Sequence, residues 1–176
     1  FLPTRCGLAT DVSRLNPDIK PIKSPYADGE VLLAMPALNL DIAFLHVNVA
    51  DRLGNTLVTG PDPYFDHLYA RAAKQCFVSC ERIEERLSLD AAQARFNTFE
   101  RYLVSGVVHA PFGAHPTSCP SDYGWDLSHL KRYSASAAEE GGWQGYMAEF
   151  VTPGESAYQA SNGGVDRLSA LPLPVF

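Results

Sequence analysis

Hydrophobic residues are most tightly grouped within the segment 34–55, where the apolar run 42–49 is interrupted by two polar residues, His46 and Asn48. A short run of Ile, Phe and Val closed by an Asp/Gly/Asn turn is typical of a mostly buried strand, as found in parallel sheets covered on both faces. Because they are two residues apart, His46 and Asn48 point to the same side of such a strand. They lie near its C-terminal end, where open α/β sheets carry ligands. A ligand site and a hydrogen-bonded core pair are both open interpretations.

A helix and a second strand are predicted to follow. The range 61–75 has apolar residues at helical spacing, with Asp62 as the predicted cap and Pro63 in the first turn. The next apolar run, 76–80, is predicted to be a buried strand. Strand, helix and strand at this spacing form a crossover, which makes the two strands parallel. Glu81 is then expected just beyond the second strand, at the same ligand edge of the sheet.

The rest of the pattern completes the fold prediction. In chain order, the other predicted elements are a proline-rich loop over 1–25, strands over 30–34, 56–60 and 103–109, a helix over 87–96, a loop over 110–120, and helices from 125, over 143–151 and after 153. Together these elements predict an α/β fold with an open, mostly parallel sheet flanked by helices, in a single domain over 1–176.

Composition excludes several classes of partner. The 176 residues are 46% hydrophobic and 19% charged, as in an ordinary soluble globular protein. The net charge of −6 argues against nucleic acid or an anionic membrane as the main partner, because either would require a basic face. No run approaches the roughly 18 apolar residues of a membrane helix, and no signal peptide is recognisable. We therefore expect a cytoplasmic protein, and the opening Phe1-Leu2-Pro3 predicts a segment upstream.

The motifs of several enzyme classes are missing from the sequence. There is no dinucleotide-binding glycine fingerprint, no phosphate-binding Walker loop and no Gly-x-Ser-x-Gly elbow. Neither the Cys76/Cys80 spacing nor the His109/His115 spacing matches a metal site, so no metal is expected. The four cysteines contain no CxxC pair and are expected to be reduced, buried thiols.

Two further places have residues suited to a binding site. Arg5 lies among small residues, a setting that suits an arginine holding a carboxylate or phosphate, although it equally suits one that ties a loop to the domain. The loop 110–120 consists of small residues around His115, and ordered loops of this kind more often serve a site than a fold.

Several segments of this chain resemble the A (alpha) subunit of family I CoA-transferases. The resemblance is in Met35-Pro36-Ala37, in 41–46 and in Ala-Asp-Arg-Leu-Gly-Asn at 50–55. It continues in Cys-Glu-Arg-Ile at 80–83 and in the post-strand loop 107–118, and covers about 1–133. The segments 1–5 and 117–123 are most similar to a branch that includes glutaconate CoA-transferase-like A subunits and the steroid ring-opening CoA hydrolase.

The resemblance implies a fold of the CoA-transferase (NagB/RpiA-like) type and a two-subunit enzyme. An A and a B (beta) chain of similar fold would act on acyl-CoA at their interface, moving coenzyme A to a carboxylic acid, with no metal. The attacking glutamate of the transferases would lie on the B chain. The alternatives are a subunit of the ring-opening hydrolase and a structural half without chemistry. The family's glycine-rich CoA-binding loop is missing, as expected for the C-terminal part of a longer A subunit.

The site residues are positional predictions within this framework. The predicted catalytic residues are Glu81, His46 and His115, with the histidines orienting groups or exchanging protons near the thioester. The predicted substrate-binding residues are Arg5, which would hold a substrate carboxylate, Asn48 and Thr117. A purely structural chain would instead scatter His46, Glu81 and His115. An isomerase or deaminase acting on sugar phosphates would need a phosphate-binding loop, which the sequence lacks.

Overall fold

The computed structural model describes residues 1–26, 28–90 and 92–174, and the chain packs as two compact units, Phe1–Leu40 and Asp41–Phe176. The prediction of one domain over 1–176, forming the C-terminal part of a longer subunit, stays a prediction. None of the helices in the described ranges is long and apolar enough to cross a membrane.

The first unit is a small antiparallel sheet. Strands β1 (Leu2–Thr4) and β2 (Lys20–Lys23) flank β3 (Val31–Met35), and helix α1 (Val12–Leu15) connects β1 to β2. The prediction of a loop over 1–25 is therefore wrong, because this range contains β1, α1 and β2. The prolines of this segment are tolerated because β1 and β2 are edge strands, where a missing backbone N–H interrupts no ladder on the open side. Strand β3 confirms the predicted strand over 30–34 within one residue.

The second unit is built on a four-stranded sheet in the order β5-β4-β6-β7. Its strands are β4 (Leu40–Asp51), β5 (Thr56–Leu57), β6 (Ala73–Glu84) and β7 (Val104–His109). Strand β5 returns antiparallel to β4 as a hairpin, whereas β6 and β7 are parallel.

Strands β4 and β6 also run in the same direction. The cross-strand pairs Asp41–Lys74 and His46–Ser79 have the same sequence separation of 33 residues, as in a parallel pair. The α/β class and the mostly parallel sheet are thus confirmed. The predicted strand over 56–60 is shorter, ending at Leu57.

Alternation along the two central strands separates the core from the candidate site. On one face the core contains Ala43, Leu45, Val47, Cys76, Val78 and Cys80, packed with Ala70 and Phe99. His46, Ser79 and Glu81 occupy the opposite face. Glu81 lies inside β6, which continues to Glu84, and not beyond its end as predicted.

The helices lie between and after the strands. They are α2 (Asp66–Ala72), α3 (Leu127–Ala138), α4 (Gly142–Tyr146) with a π-helical continuation (Met147–Val151), α5 (Glu155–Ser161) and α6 (Gly164–Ser169), with 3-10 turns at Ala94–Phe96 and Arg101–Leu103. The helices predicted from 125, over 143–151 and after 153 are all present, the last of them as two short helices.

Two helix predictions need correction. Helix α2 begins at Asp66, because Asp62 caps the backbone N–H of Tyr64 in a preceding turn, where Tyr64 has a positive φ of 47°. The helix predicted over 87–96 is replaced by turns before a short 3-10 segment. The Asp90 carboxylate accepts the N–H groups of Ala92 and Gln93, and such local bonding competes with helix. Ala91 lies outside the described residues.

Candidate active site

The candidate active site is built on a histidine and a glutamate from neighbouring strands. His46 of β4 and Glu81 of β6 point from the same face of the sheet, and Nε2 of His46 lies 2.6 Å from Oε1 of Glu81. The other ring nitrogen, Nδ1, lies 2.8 Å from the hydroxyl of Ser79, two residues before Glu81 on the same strand. The two side chains are only 15% and 6% exposed. The strand pairing therefore positions a nearly buried acid–imidazole pair.

Glu81 accepts two further hydrogen bonds from the loop after β7. The Tyr123 hydroxyl donates to Oε1 at 2.6 Å, and the backbone N–H of Phe112 donates to Oε2 at 2.7 Å. Burial alone would raise the pKa of Glu81, but the bonds from His46, Tyr123 and Phe112 outweigh it and hold the pKa below its ordinary value. Glu81 is consequently a carboxylate at neutral pH. Burial and that carboxylate raise the pKa of Tyr123, so its hydroxyl stays protonated and donates.

A glycine lets this loop close over the histidine. A Cβ added to Gly113 would lie 2.8 Å from the His46 ring and 2.8 Å from the carbonyl oxygen of Ala110. Such contacts are too short for any side chain, so the loop can approach His46 this closely only with glycine at this position. The Ala114 N–H also donates to the Tyr123 hydroxyl at 3.0 Å, which fixes the tyrosine above Glu81.

Asn48 joins two loops beside the same pair. Its amide nitrogen donates to the Pro120 carbonyl at 2.9 Å and to Asp122 at 2.7 Å, while its amide oxygen accepts the N–H of Thr59 at 2.8 Å. Asn48 and His46 also line a cavity of about 160 Å³. This volume suits the reacting end of a substrate, since pockets that enclose a drug-sized molecule are larger, roughly 300–1,000 Å³.

His115 belongs to a different cluster. Its ring nitrogens lie 2.6 Å from the Tyr158 hydroxyl and 3.3 Å from Asp126, and its side chain is completely enclosed. Burial, the largest influence, lowers the pKa of His115, so the ring is neutral at physiological pH. The expectation that His115 shares a pocket with His46 and Glu81 is therefore corrected: two of the three predicted catalytic residues converge, and the third does not.

Asp126 is the centre of that second cluster. It caps α3 by accepting the His129 N–H at 3.0 Å, and Arg167 of α6 lies 2.6 Å from its other oxygen. Burial would raise the pKa of Asp126, but Arg167, Ser128 and the other donors lower it well below its usual range. The cluster thus ties the loop that carries His115 to the C-terminal helices.

Arg5 and Thr117 make local contacts. Arg5, in the first unit, is 78% exposed at its side chain and forms an ion pair with Glu30. Thr117 is exposed, and its hydroxyl donates to the Ala114 carbonyl at 2.5 Å within its own turn. Cys6 is exposed, contrary to expectation, whereas Cys76, Cys80 and Cys119 are buried and free as expected.

Sequence reasoning missed three residues of the candidate site. Ser79 could have been found, because strand alternation places it on the face of Glu81. Tyr123 and Gly113 had no comparable signal, since a non-regular loop brings both to the site.

Comparisons with known proteins agree with this fold. Residues 9–108 match the family model described as coenzyme A transferase. The chain is 43% identical over 167 residues to a cholesterol ring-cleaving hydrolase IpdA subunit from Rhodococcus jostii, covering 92% of this chain and 56% of that protein. It is 41% identical over 177 residues to the Mycobacterium tuberculosis protein of the same name, covering 95% of this chain and 60% of that protein.

The fold also matches a solved structure of a coenzyme A transferase. The fold matches crystalline glutaconate coenzyme A-transferase from Acidaminococcus fermentans with a TM-score of 0.79 and 28% identity, covering 97% of this chain and 58% of that one. This chain belongs to the coenzyme A transferase family, which confirms the expected family and branch. It spans less than two thirds of the length of these relatives.

Proposed function

We propose that this chain is the A-type subunit of a two-subunit enzyme that acts on coenzyme A thioesters, and that it cleaves a carbon ring by hydrolysis. Identities of 43% and 41% to ring-cleaving hydrolase subunits support the reaction class. The partner is proposed to be a B subunit of the same family, coenzyme A enters only as part of the substrate, and the cytoplasmic location stays a prediction.

The observation that carries the proposal is the buried carboxylate of Glu81, bonded to His46, which lines a small cavity. Among the described residues, Oε2 accepts a hydrogen bond from Phe112 alone, which leaves a lone pair for a proton. His46 lines the cavity and bonds to Oε1, so it orients the carboxylate beside the space that a substrate water would occupy. Glu81 is therefore proposed as the general base.

The proposed reaction conserves its protons. Water attacks the ring ketone of a cyclic β-keto acyl-CoA and gives one proton to Glu81. The bond between that carbonyl carbon and the carbon next to the thioester then breaks, and its electron pair moves onto the latter carbon. That carbon takes the proton back from Glu81, which leaves a new carboxylic acid and restores the base. The hydrogen bonds to Glu81 keep it ionised, and therefore free to accept a proton, before the first step.

Transfer of coenzyme A to a carboxylic acid is the second candidate, favoured by the structural match to glutaconate coenzyme A-transferase. In that reaction the nucleophilic glutamate would belong to the partner. Glu81 suits a supporting role, because its side chain is 6% exposed and both of its oxygens already accept hydrogen bonds. Arg5 as a ligand of a substrate carboxylate and Thr117 as a substrate contact stay predictions, and Asn48 is proposed to brace the cavity wall.

The test uses the full-length subunit co-expressed with its genomic neighbour. The purified complex is supplied with a cyclic β-keto acyl-CoA in water, and separately with an acyl-CoA plus a carboxylic acid, with hydroxylamine or borohydride as the trap. Turnover in water without a trapped adduct supports hydrolysis, whereas a glutamyl-CoA adduct on the partner supports transfer. Failure of both reactions in an intact complex would contradict the proposal.

Glu81→Gln tests the role of the carboxylate. It should lower kcat by about 100-fold to 10,000-fold, the usual contribution of a general base, while the complex still assembles. The matched control is Glu85→Gln, since Glu85 is 82% exposed and pairs only with Arg52 among the described residues. A Glu81→Gln enzyme with unchanged kcat would exclude Glu81 as the base.

A further inference from the structure

Three side chains of types that can bind metal ions converge in the candidate active site. The side-chain donor atoms of His46, Glu81 and Cys119 all lie within 4.8 Å of one another. Imidazole, carboxylate and thiolate are the three ligand types that zinc takes in proteins, at bond lengths of about 2.0–2.3 Å. Donors around such an ion are about 3–4 Å apart, so a side-chain shift of about 1 Å would close this set around a cation. The spacing in the sequence, 46, 81 and 119, matches no metal motif.

The histidine is already oriented as a ligand would be. Nδ1 of His46 lies 2.8 Å from the Ser79 hydroxyl, and that hydroxyl in turn donates to the Leu45 carbonyl at 3.2 Å. Nε2 donates to the Glu81 carboxylate in this structure. A cation at Nε2 would move the ring proton to Nδ1, which would then donate to Ser79 while the Ser79 proton is directed at the Leu45 carbonyl. The second nitrogen of a metal-bound histidine typically makes such a contact, which aims Nε2 at the ion.

Glu81 is also held in place, because the Phe112 N–H fixes its Oε2 at 2.7 Å. The sulfur of Cys119 lies 3.3 Å from the Asn48 amide nitrogen, whose two protons are directed at Pro120 and Asp122. Two of the three potential ligands, His46 and Glu81, therefore have an orienting contact of their own.

We propose that His46, Glu81 and Cys119 form a binding site for a zinc-like divalent cation, with one coordination position open to the cavity. The open position follows because His46 and Cys119 line that cavity. Binding would replace the hydrogen bond between His46 and Glu81 and would release the thiol proton of Cys119 to solvent. It would also occupy the proposed base, so the cation would act as a reversible inhibitor; this last consequence rests on the proposed function.

Cobalt(II) provides a direct test that does not depend on activity. The metal-free, full-length complex is titrated with CoCl₂, and its absorption spectrum is recorded. We expect a thiolate-to-cobalt charge-transfer band in the near ultraviolet and intense visible bands from tetrahedral coordination, both removed by stoichiometric Zn²⁺. Cys119→Ser should abolish the charge-transfer band. Cys6→Ser, which removes an exposed thiol in the other unit, should retain it.

A second variant keeps the proposal testable if Cys119→Ser fails to fold. Ser79→Ala removes the hydroxyl that contacts Nδ1 of His46 and the Leu45 carbonyl, and should weaken cobalt and zinc binding by about 10-fold to 100-fold. The proposal is overturned if the wild-type complex shows no charge-transfer band, or if the band persists in Cys119→Ser or disappears in Cys6→Ser. Inhibition of turnover by Zn²⁺, reversed by a chelator, is measured separately. Failure of the proposed reaction would leave the cobalt result intact.

Discussion

Among the described residues of the second unit, two histidine–carboxylate groups differ in what surrounds them. His46 bonds to Glu81 beside a cavity, whereas His115 bonds to Asp126 inside a sealed cluster of helices. The same chemical groups are thus available to a ligand in one place and unavailable in the other. Residue type identifies candidates, but access from solvent decides which of them can meet a substrate.

The largest expected difference between the two groups is in catalysis. His46→Gln should lower kcat by about 100-fold or more, because it removes the contact that orients Glu81. His115→Gln should leave kcat of the folded enzyme within a few-fold and lower the free energy of unfolding by about 1–3 kcal/mol, through lost buried hydrogen bonds.

Steady-state kinetics and denaturant unfolding of both variants check this pair. Equal losses of kcat in the two variants would contradict the distinction between an open site and a sealed cluster, and so would an unchanged kcat in His46→Gln. A Tyr158→Phe variant is a matched control for the sealed cluster, since it removes a hydrogen bond to His115 without altering the ring.

The next effect concerns the stability of the sealed cluster. Asp126→Asn should lower the free energy of unfolding by about 2 kcal/mol, because Arg167 and the cap of α3 lose a charged, 2% exposed partner. The figure is below that for a fully buried pair because Arg167 is 41% exposed. The control is Asp41→Asn, which breaks an exposed pair with Lys74 and should cost under about 0.5 kcal/mol. The free energies of unfolding are measured with urea, and comparable decreases in Asp126→Asn and Asp41→Asn would contradict this prediction.

The smallest expected effect is the pH dependence of unfolding. Burial lowers the pKa of His115 and keeps the ring neutral in the folded state. Below the unfolded pKa of 6.5 the unfolded chain takes up a proton that the folded chain does not, so the free energy of unfolding decreases as the pH is lowered. Asp126 has a folded pKa below its unfolded value of 3.8, so its contribution is present above pH 3.8 and is lost below it. Thermal unfolding between pH 8 and pH 4 should show the first loss, and His115→Gln should flatten it. A wild-type Tm independent of pH over this range would contradict the assignment.

Local pattern predicted much of the fold, and two of the three predicted catalytic residues, His46 and Glu81, lie together in the structure. The strands of the central sheet follow from apolar runs closed by turn residues, and alternation placed His46 and Asn48 on one face. The helix predicted over 87–96 was wrong because Asp90 bonds to nearby backbone N–H groups, a local competition that hydrophobic spacing does not reveal. The loop predicted over 1–25 was wrong because prolines are compatible with edge strands, and edges are defined only by the assembled sheet.

By itself, the sequence determined the α/β class, the family resemblance and the two strands that carry His46 and Glu81, because these depend on short-range periodicity and on local motifs. The tertiary structure alone decided the partners of those residues. Tyr123, Gly113 and Cys119 reach the site through a loop of irregular backbone, and His115 is turned from it by helices that follow later in the chain. Loop conformation is set by long-range packing and hydrogen bonding, and has no period that a single sequence displays.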